Sequence, residues 1–265
     1  MVVSLKESNV VDASRYADLI AKARIEDEAS EWPASCSSYV AAAKVADTNP
    51  RRAYALNNAA ISSRRAGEID EALRFLIQAS DALRDEDDVP TKAEMELAIG
   101  NTLVDAQRLS DAIPHLEAAI DMFRRLSRNE ESLHAEIGLG RAFAIQGRDA
   151  EAEQLFLRVL SEGHSDELLS QGLNNLAIIR RRQGRHHEAE ELFRRDADLC
   201  ESGADSHGRA VALTNLARVK GDLGKTAEAL TLLEQASALF RNARAAVDAE
   251  RVEKDLTILR SQLNS

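Results

Sequence analysis

The chain has 265 residues and a net charge of −11, and that excess of acid excludes indiscriminate adhesion to nucleic acid or anionic membrane, which both reward a basic surface. Aromatics are only 4% and the hydrophobic fraction of 44% is mostly Ala and Leu, a mixture suited to many small helix contacts rather than to a β-sandwich or barrel. Two cysteines, Cys36 and Cys200, form neither a disulfide framework nor a metal quartet, and read as small buried hydrophobes of a reducing compartment.

The N-terminal stretch MVVSLKESNVVDASRY lacks a basic segment followed by a sustained apolar run, so no signal peptide is expected. No window approaches the ~18 consecutive apolar residues of a membrane span. The expected location is cytoplasmic. Residues 12–48 read as a degenerate helix pair: SRYADLIAKARIEDEA, then SEWPASCSSYVAAAKVAD, with Ser30 as the candidate N-cap and Pro33 near the first turn. Asn49 before Pro50 marks the next helix start, again as N-cap and first residue.

From here a repeat takes over. Gly67 is followed five, nine and twelve residues on by Ala72, Leu76 and Ala79. The same spacing recurs as Gln107, Ala112, Leu116, Ala119 and as Gly147, Ala152, Phe156, Val159. Two further copies are Gly184, Ala189, Phe193, Asp196 and Gly224, Ala229, Leu233, Ala236. Seven residues before each anchor stands a small residue: Ala60, Gly100, Gly140, Ala177 or Ala217. Each copy predicts a helix, a tight turn closed by a left-handed Gly, and a second helix. Small residues stand where two backbones approach, and the Leu or Phe fills the gap beside them on an i, i+4 step. Gln107 departs from Gly, so that turn is expected to cap differently. Between the first two copies lies the acidic loop RDEDDVPT, after which Thr91 and Glu94 suggest a capping box. In the fourth copy Asp196 stands where the others have Ala or Val, and Arg180 stands where a bulky apolar residue is usual. They are expected either to pair or to shift the second helix so that Asp196 is exposed. Residues 243–264 read as a final capping helix.

The series resembles the tetratricopeptide repeat, over the clear repeats 50–241. The anchor spacings of 40, 40, 37 and 40, the stretch LNNLA…QGRHHEAEELF and Pro114 early in a second helix resemble its longer variant, seen in kinesin light chains and bacterial signalling regulators. The resemblance implies an all-α right-handed superhelical solenoid, about six helix pairs and a capping helix, as one domain over 1–265. It further implies a concave groove lined by first helices. The candidate groove residues are Asn57, Asn58, Arg64, Arg65, Asn101, Arg141, Asn174, Asn175, Arg181, Arg182, Asn215 and Arg218.

Asn58, Asn175 and Asn215 share one repeat position, and an amide carries both donors and an acceptor, as an extended peptide backbone requires. The arginines would give a basic interior suited to carboxylates. Arg64, Arg65, Arg181 and Arg182 also sit in last helical turns, where cations complement the helix dipole. His186 and His187 follow the Gly184 turn as neighbours. They point about 100° apart on a helix and belong to no HExxH motif, so no metal is expected. No nucleophile elbow or phosphate loop appears, and no catalytic residue, cofactor or reaction is implied. The expected role is a protein-interaction scaffold that takes an acidic peptide or partner segment in its groove. A ligand-responsive regulator acting in trans and a self-assembling structural solenoid are the alternatives.

Overall fold

The computed structural model describes residues 2–243 and 245–263. Every regular element among them is a helix. The first six are α1 (Val2–Glu28), α2 (Trp32–Val45), α3 (Asn49–Arg65), α4 (Ile69–Ala82), α5 (Val89–Asp105) and α6 (Leu109–Arg125). Then come α7 (Asn129–Ile145), α8 (Asp149–Glu162), α9 (Asp166–Arg182), α10 (His186–Ser202), α11 (Ser206–Asp222), α12 (Thr226–Asn242) and α13 (Ala246–Leu263). They run as six consecutive pairs and a thirteenth helix. The expected final helix included positions 244 and 264, which lie outside the described residues. No described helix is long and apolar enough to cross a membrane. Two compact units, residues 1–142 and 143–265, divide the chain within α7.

The repeat positions behave as helix packing demands. Ala72, Ala112, Ala152, Ala189 and Ala229 are all buried, with at most 1% of their surface exposed. Phe156, Phe193 and Phe240 are sealed in the core of the second unit. Gly100 shows why the crossing position stays small: a Cβ there would stand 2.6 Å from Cγ of Leu116.

The turns follow one geometry. Gly67, Gly147, Gly184 and Gly224 are left-handed, with φ of 72° to 85°. Gln107 does not cap differently. It takes φ 58° and makes the same pair of bonds, Gln107 N–H to Val104 O and Arg108 N–H to Leu103 O, both 2.9 Å. A side chain in that conformation carries a steric cost that glycine avoids. Gln107→Gly is therefore expected to raise stability by about 0.5–1 kcal/mol in a urea titration.

Three helix starts differ from expectation. Ser30 is no N-cap; at φ 60° it is the left-handed residue that closes α1. Thr48, not Asn49, caps α3, accepting from Arg51 N–H. Asp88, not Thr91 with Glu94, caps α5, taking Thr91 N–H at 3.1 Å and Thr91 Oγ1–H at 2.6 Å. Its carboxyl is held below the usual range by those bonds. Pro114 falls early in α6, in its second turn, and the helix runs through it to Arg125.

Within each unit the seams between successive pairs follow one rule. The residue six beyond one turn and the residue four before the next both fall at the seam. In the first unit these places hold Cys36 and Ser63, 3.2 Å apart, and then the buried Leu73 and Leu103. In the second unit they hold ion pairs. Arg180 Nη1 donates to Glu153 Oε2 at 2.6 Å, and Lys220 Nζ donates to Glu190 Oε1 at 2.8 Å. Each cation is bridged again within its own helix pair, Arg180 to Glu188 at 3.3 Å and Lys220 to Glu228 at 2.5 Å.

This seam also overturns the expected Arg180–Asp196 pair. Both residues are buried, but Arg180 is taken by Glu153. Asp196 remains buried and unshifted, and it accepts instead from Ser170 Oγ at 2.5 Å and from Cys200 Sγ at 3.6 Å.

Candidate functional site

In the first unit, the expected groove residues of α3, α5 and α7 are only partly covered. Asn58 Nδ2 donates to Tyr54 O in its own helix at 2.8 Å. Tyr54 is itself held by Arg24 Nη2 at 2.9 Å. Asn57 carries a buried Oδ1 with no hydrogen-bond partner among the described residues. Asn101 packs on Gly138, where a Cβ would come within 2.4 Å of its Oδ1. Arg141 Nη2 lies 2.8 Å from Asp105, and Arg64 Nε lies 3.9 Å from the same carboxylate. Arg65 stands apart from this group and stacks on Trp32, 4.7 Å above the ring centre.

The second unit repeats the scheme on α9, α11 and α13. Asn175 Nδ2 donates to Gln171 O at 2.8 Å, the counterpart of the Asn58 bond. Asn215 Nδ2 donates across helices to Asn174 Oδ1 at 2.9 Å, and Arg218 Nη1 donates to Asn215 Oδ1 at 3.1 Å. Arg181 forks Asp222 at 2.5 and 3.1 Å and holds that carboxyl below its usual range. Arg218 is 3.7 Å from Asp255. Arg182 turns away to Ala144 O, at 2.8 Å, and to Asp149.

Most of the arginines expected to make the interior basic are paired with carboxylates. Arg64, Arg141, Arg181 and Arg218 each meet an aspartate from a neighbouring helix, which sequence spacing alone did not reveal. His186 and His187 do not come together: His186 stands 3.8 Å from Asp222, and His187 is exposed. Among the described residues no group of three or more His, Cys, Asp or Glu is arranged to hold a metal.

Sequence reasoning also missed a cleft of about 410 Å³ in the second unit. It is lined by Arg181, Ala217, Arg218, Gly221, Leu233, Asp255, Ile258 and Leu259. The one available signal was Gly221, a glycine inside a helix where the preceding repeats carry Arg64, Val104, Ala144 and Arg181.

Two family models, both described as tetratricopeptide repeat, match residues 97–167 and 168–242, together more than half of the chain. The chain belongs to the tetratricopeptide-repeat family. The matched residues run from within α5 to the end of α12, and α13 follows them. The regulatory protein AfsR of Streptomyces griseus is 33% identical over 105 residues, which is 38% of this chain but only 11% of that protein.

Among solved structures, a Rap protein complexed with competence and sporulation factor matches with a TM-score of 0.67 at 17% identity. That match covers 94% of this chain and 76% of the other. The apo quorum sensor NprR of B. thuringiensis matches with a TM-score of 0.72 at 15% identity, covering 95% and 69%. Kinesin-light-chain repeats of Podosopora anserina reach 0.56 at 20% identity, covering 76% and 100%. At these identities the likeness is one of fold.

Proposed function

We propose that this tetratricopeptide-repeat chain is a peptide-receiving interaction module, with first-helix asparagines contacting the main chain of an extended ligand. One observation carries the reading. Asn58 and Asn175 stand at the same repeat position, and each spends one amide N–H on the carbonyl four residues back. That bond fixes the rotamer and leaves a second N–H and the Oδ1, the two groups a peptide unit needs. A fold shared with a Rap protein solved with a bound factor supports the same reading. A regulator acting in trans is the second reading, supported by the matching segment of AfsR. Two unpaired cysteines suit a reducing, cytoplasmic setting.

The arginines make the case for acidic ligands, and their aspartates limit it. An incoming carboxylate replaces an existing pair rather than meeting a free cation. Its advantage is then of the order of one exposed ion pair, ~0.2–1 kcal/mol.

The test starts from random linear peptides displayed on phage and selected on the full chain. Enriched peptides are titrated calorimetrically against wild type, Asn175→Ala, and a variant with His186→Ala and His187→Ala. Asn175→Ala is expected to lose about 0.5–1.5 kcal/mol of binding, the worth of one hydrogen bond, at an unchanged melting temperature. The histidine variant is expected to bind as wild type. Failure to enrich any peptide, or binding lost only with the histidines, overturns the proposal.

A further inference from the structure

Gly221 presents a question that the fold does not answer. It lies in the last turn of α11 with helical backbone, where glycine costs roughly 1 kcal/mol relative to alanine. Several glycines elsewhere in the molecule have evident reasons. Gly224 is left-handed, and a Cβ on Gly100 or Gly172 would press on Leu116 or on Leu160. A Cβ on Gly221 would meet nothing within 4 Å. No packing among the described residues requires a bare position there. The space it leaves is part of the cleft described above.

The cleft combines a carbon surface with a balanced rim. Ala217 and Leu233 are buried, Leu259 is partly buried, and Ile258 keeps 57% of its surface exposed. Around them stand two cations and two carboxylates, Arg181 with Asp222 and Arg218 with Asp255. An acid or a base entering here would face a like charge beside each opposite one. A neutral aliphatic group meets no such penalty and removes carbon surface from water. Arg218 also bonds to Asn215, so an amide of the asparagine row adjoins the cleft and can flank the main chain on either side of that group.

We infer that this cleft is the anchor pocket of the bound peptide, and that it receives one aliphatic side chain of Leu, Ile or Met size, with Gly221 left bare to admit it. The inference rests on the peptide-binding reading above.

Its test uses the same displayed library of random linear peptides, selected on the full chain. The enriched sequences are expected to share an aliphatic residue at one position, and its replacement by Ala should weaken binding roughly tenfold or more. Gly221→Leu fills the cleft from an open position and should abolish binding of those peptides. Gly221→Ala, which adds one carbon and favours the helix, should retain measurable binding and confirm by its circular dichroism and melting that the site tolerates a Cβ. Ile258→Gln changes an exposed wall and gives a second route to the same loss should Gly221→Leu fail to fold. Peptides that weaken with Asn175→Ala but bind Gly221→Leu and Ile258→Gln as tightly as wild type would overturn the anchor pocket and leave the groove reading standing. Enriched peptides without a shared aliphatic position would also overturn it. A library that yields no binder removes both.

Discussion

Asp196→Asn is expected to stabilise the protein at pH 7 by about 2–3 kcal/mol, and wild type and variant are expected to converge near pH 3–4. The wild-type carboxyl is only 2% exposed, and burial pushes its pKa up to about 6. The hydrogen bonds from Ser170 and Cys200 offset part of that rise, and the charge of Asp205 adds to it. Below the ordinary aspartate range the group is neutral both folded and unfolded, and the fold loses nothing. As pH rises, the unfolded chain ionises first and gains free energy that the folded chain cannot match until about pH 6. Stability contributed by the protonated form is thus present at low pH and lost as pH climbs through the folded pKa. An amide of the same shape carries no such dependence and can still bond Ser170. Urea titrations of both proteins across this range provide the check. A variant less stable than wild type at pH 7, or a difference independent of pH, would show that the buried carboxylate is sustained by charge compensation that the Ser170 and Cys200 contacts do not supply.

The second large effect lies in the seam between α8 and α9. Arg180→Leu and Glu153→Leu, made singly, are each expected to cost about 2–3 kcal/mol, because each leaves a charge facing carbon. The figure falls below that of a fully buried pair since Glu153 keeps 25% of its side chain exposed and Arg180 retains Glu188. Made together, the two substitutions reproduce the Leu73 and Leu103 arrangement of the first unit and should come within about 1 kcal/mol of wild type. A double-mutant cycle by chemical denaturation reads the coupling directly. Additive losses would mean that the ion pair contributes nothing specific to the stacking of these helices.

Most of the fold could be read from spacing because a helix pair needs small residues at its crossing and a left-handed residue at its turn. Ala72 through Ala229 and Gly67 through Gly224 met both demands without reference to anything distant. Capping was harder to read, since neighbouring candidates compete and only geometry separates them: Thr48 stands beside Asn49, and Asp88 three residues before Thr91. Gln107 misled for the opposite reason, because the turn around it tolerates a side chain at some cost.

The candidate site was half legible. The shared place of Asn58 and Asn175 followed from the repeat, and both asparagines keep that equivalence in space. The arginines did not stay free because their partners sit on the next first helix, about 36 to 41 residues away, as with Arg141 and Asp105 or Arg181 and Asp222. Charges at such separations look solvated in a linear sequence. Asp196 was visible as an exception, but its partner Ser170 lies on the opposite helix in a place that carries no repeat signature.

The seam has a bearing on how such a chain can change over generations. Tandem repeats invite unequal recombination, which duplicates, deletes or transposes whole modules. Here a module is not a neutral unit of exchange. One taken from the first unit offers Leu73 to its successor, and one from the second offers Glu190, which requires a cation opposite. A transposed module would set carbon against Lys220 or carboxylate against Leu103. Such a product must acquire compensating substitutions on both flanks before it matches its parent in stability. The order of these repeats is therefore inherited as a set of mutually dependent neighbours, and recombination within either unit is better tolerated than exchange between them.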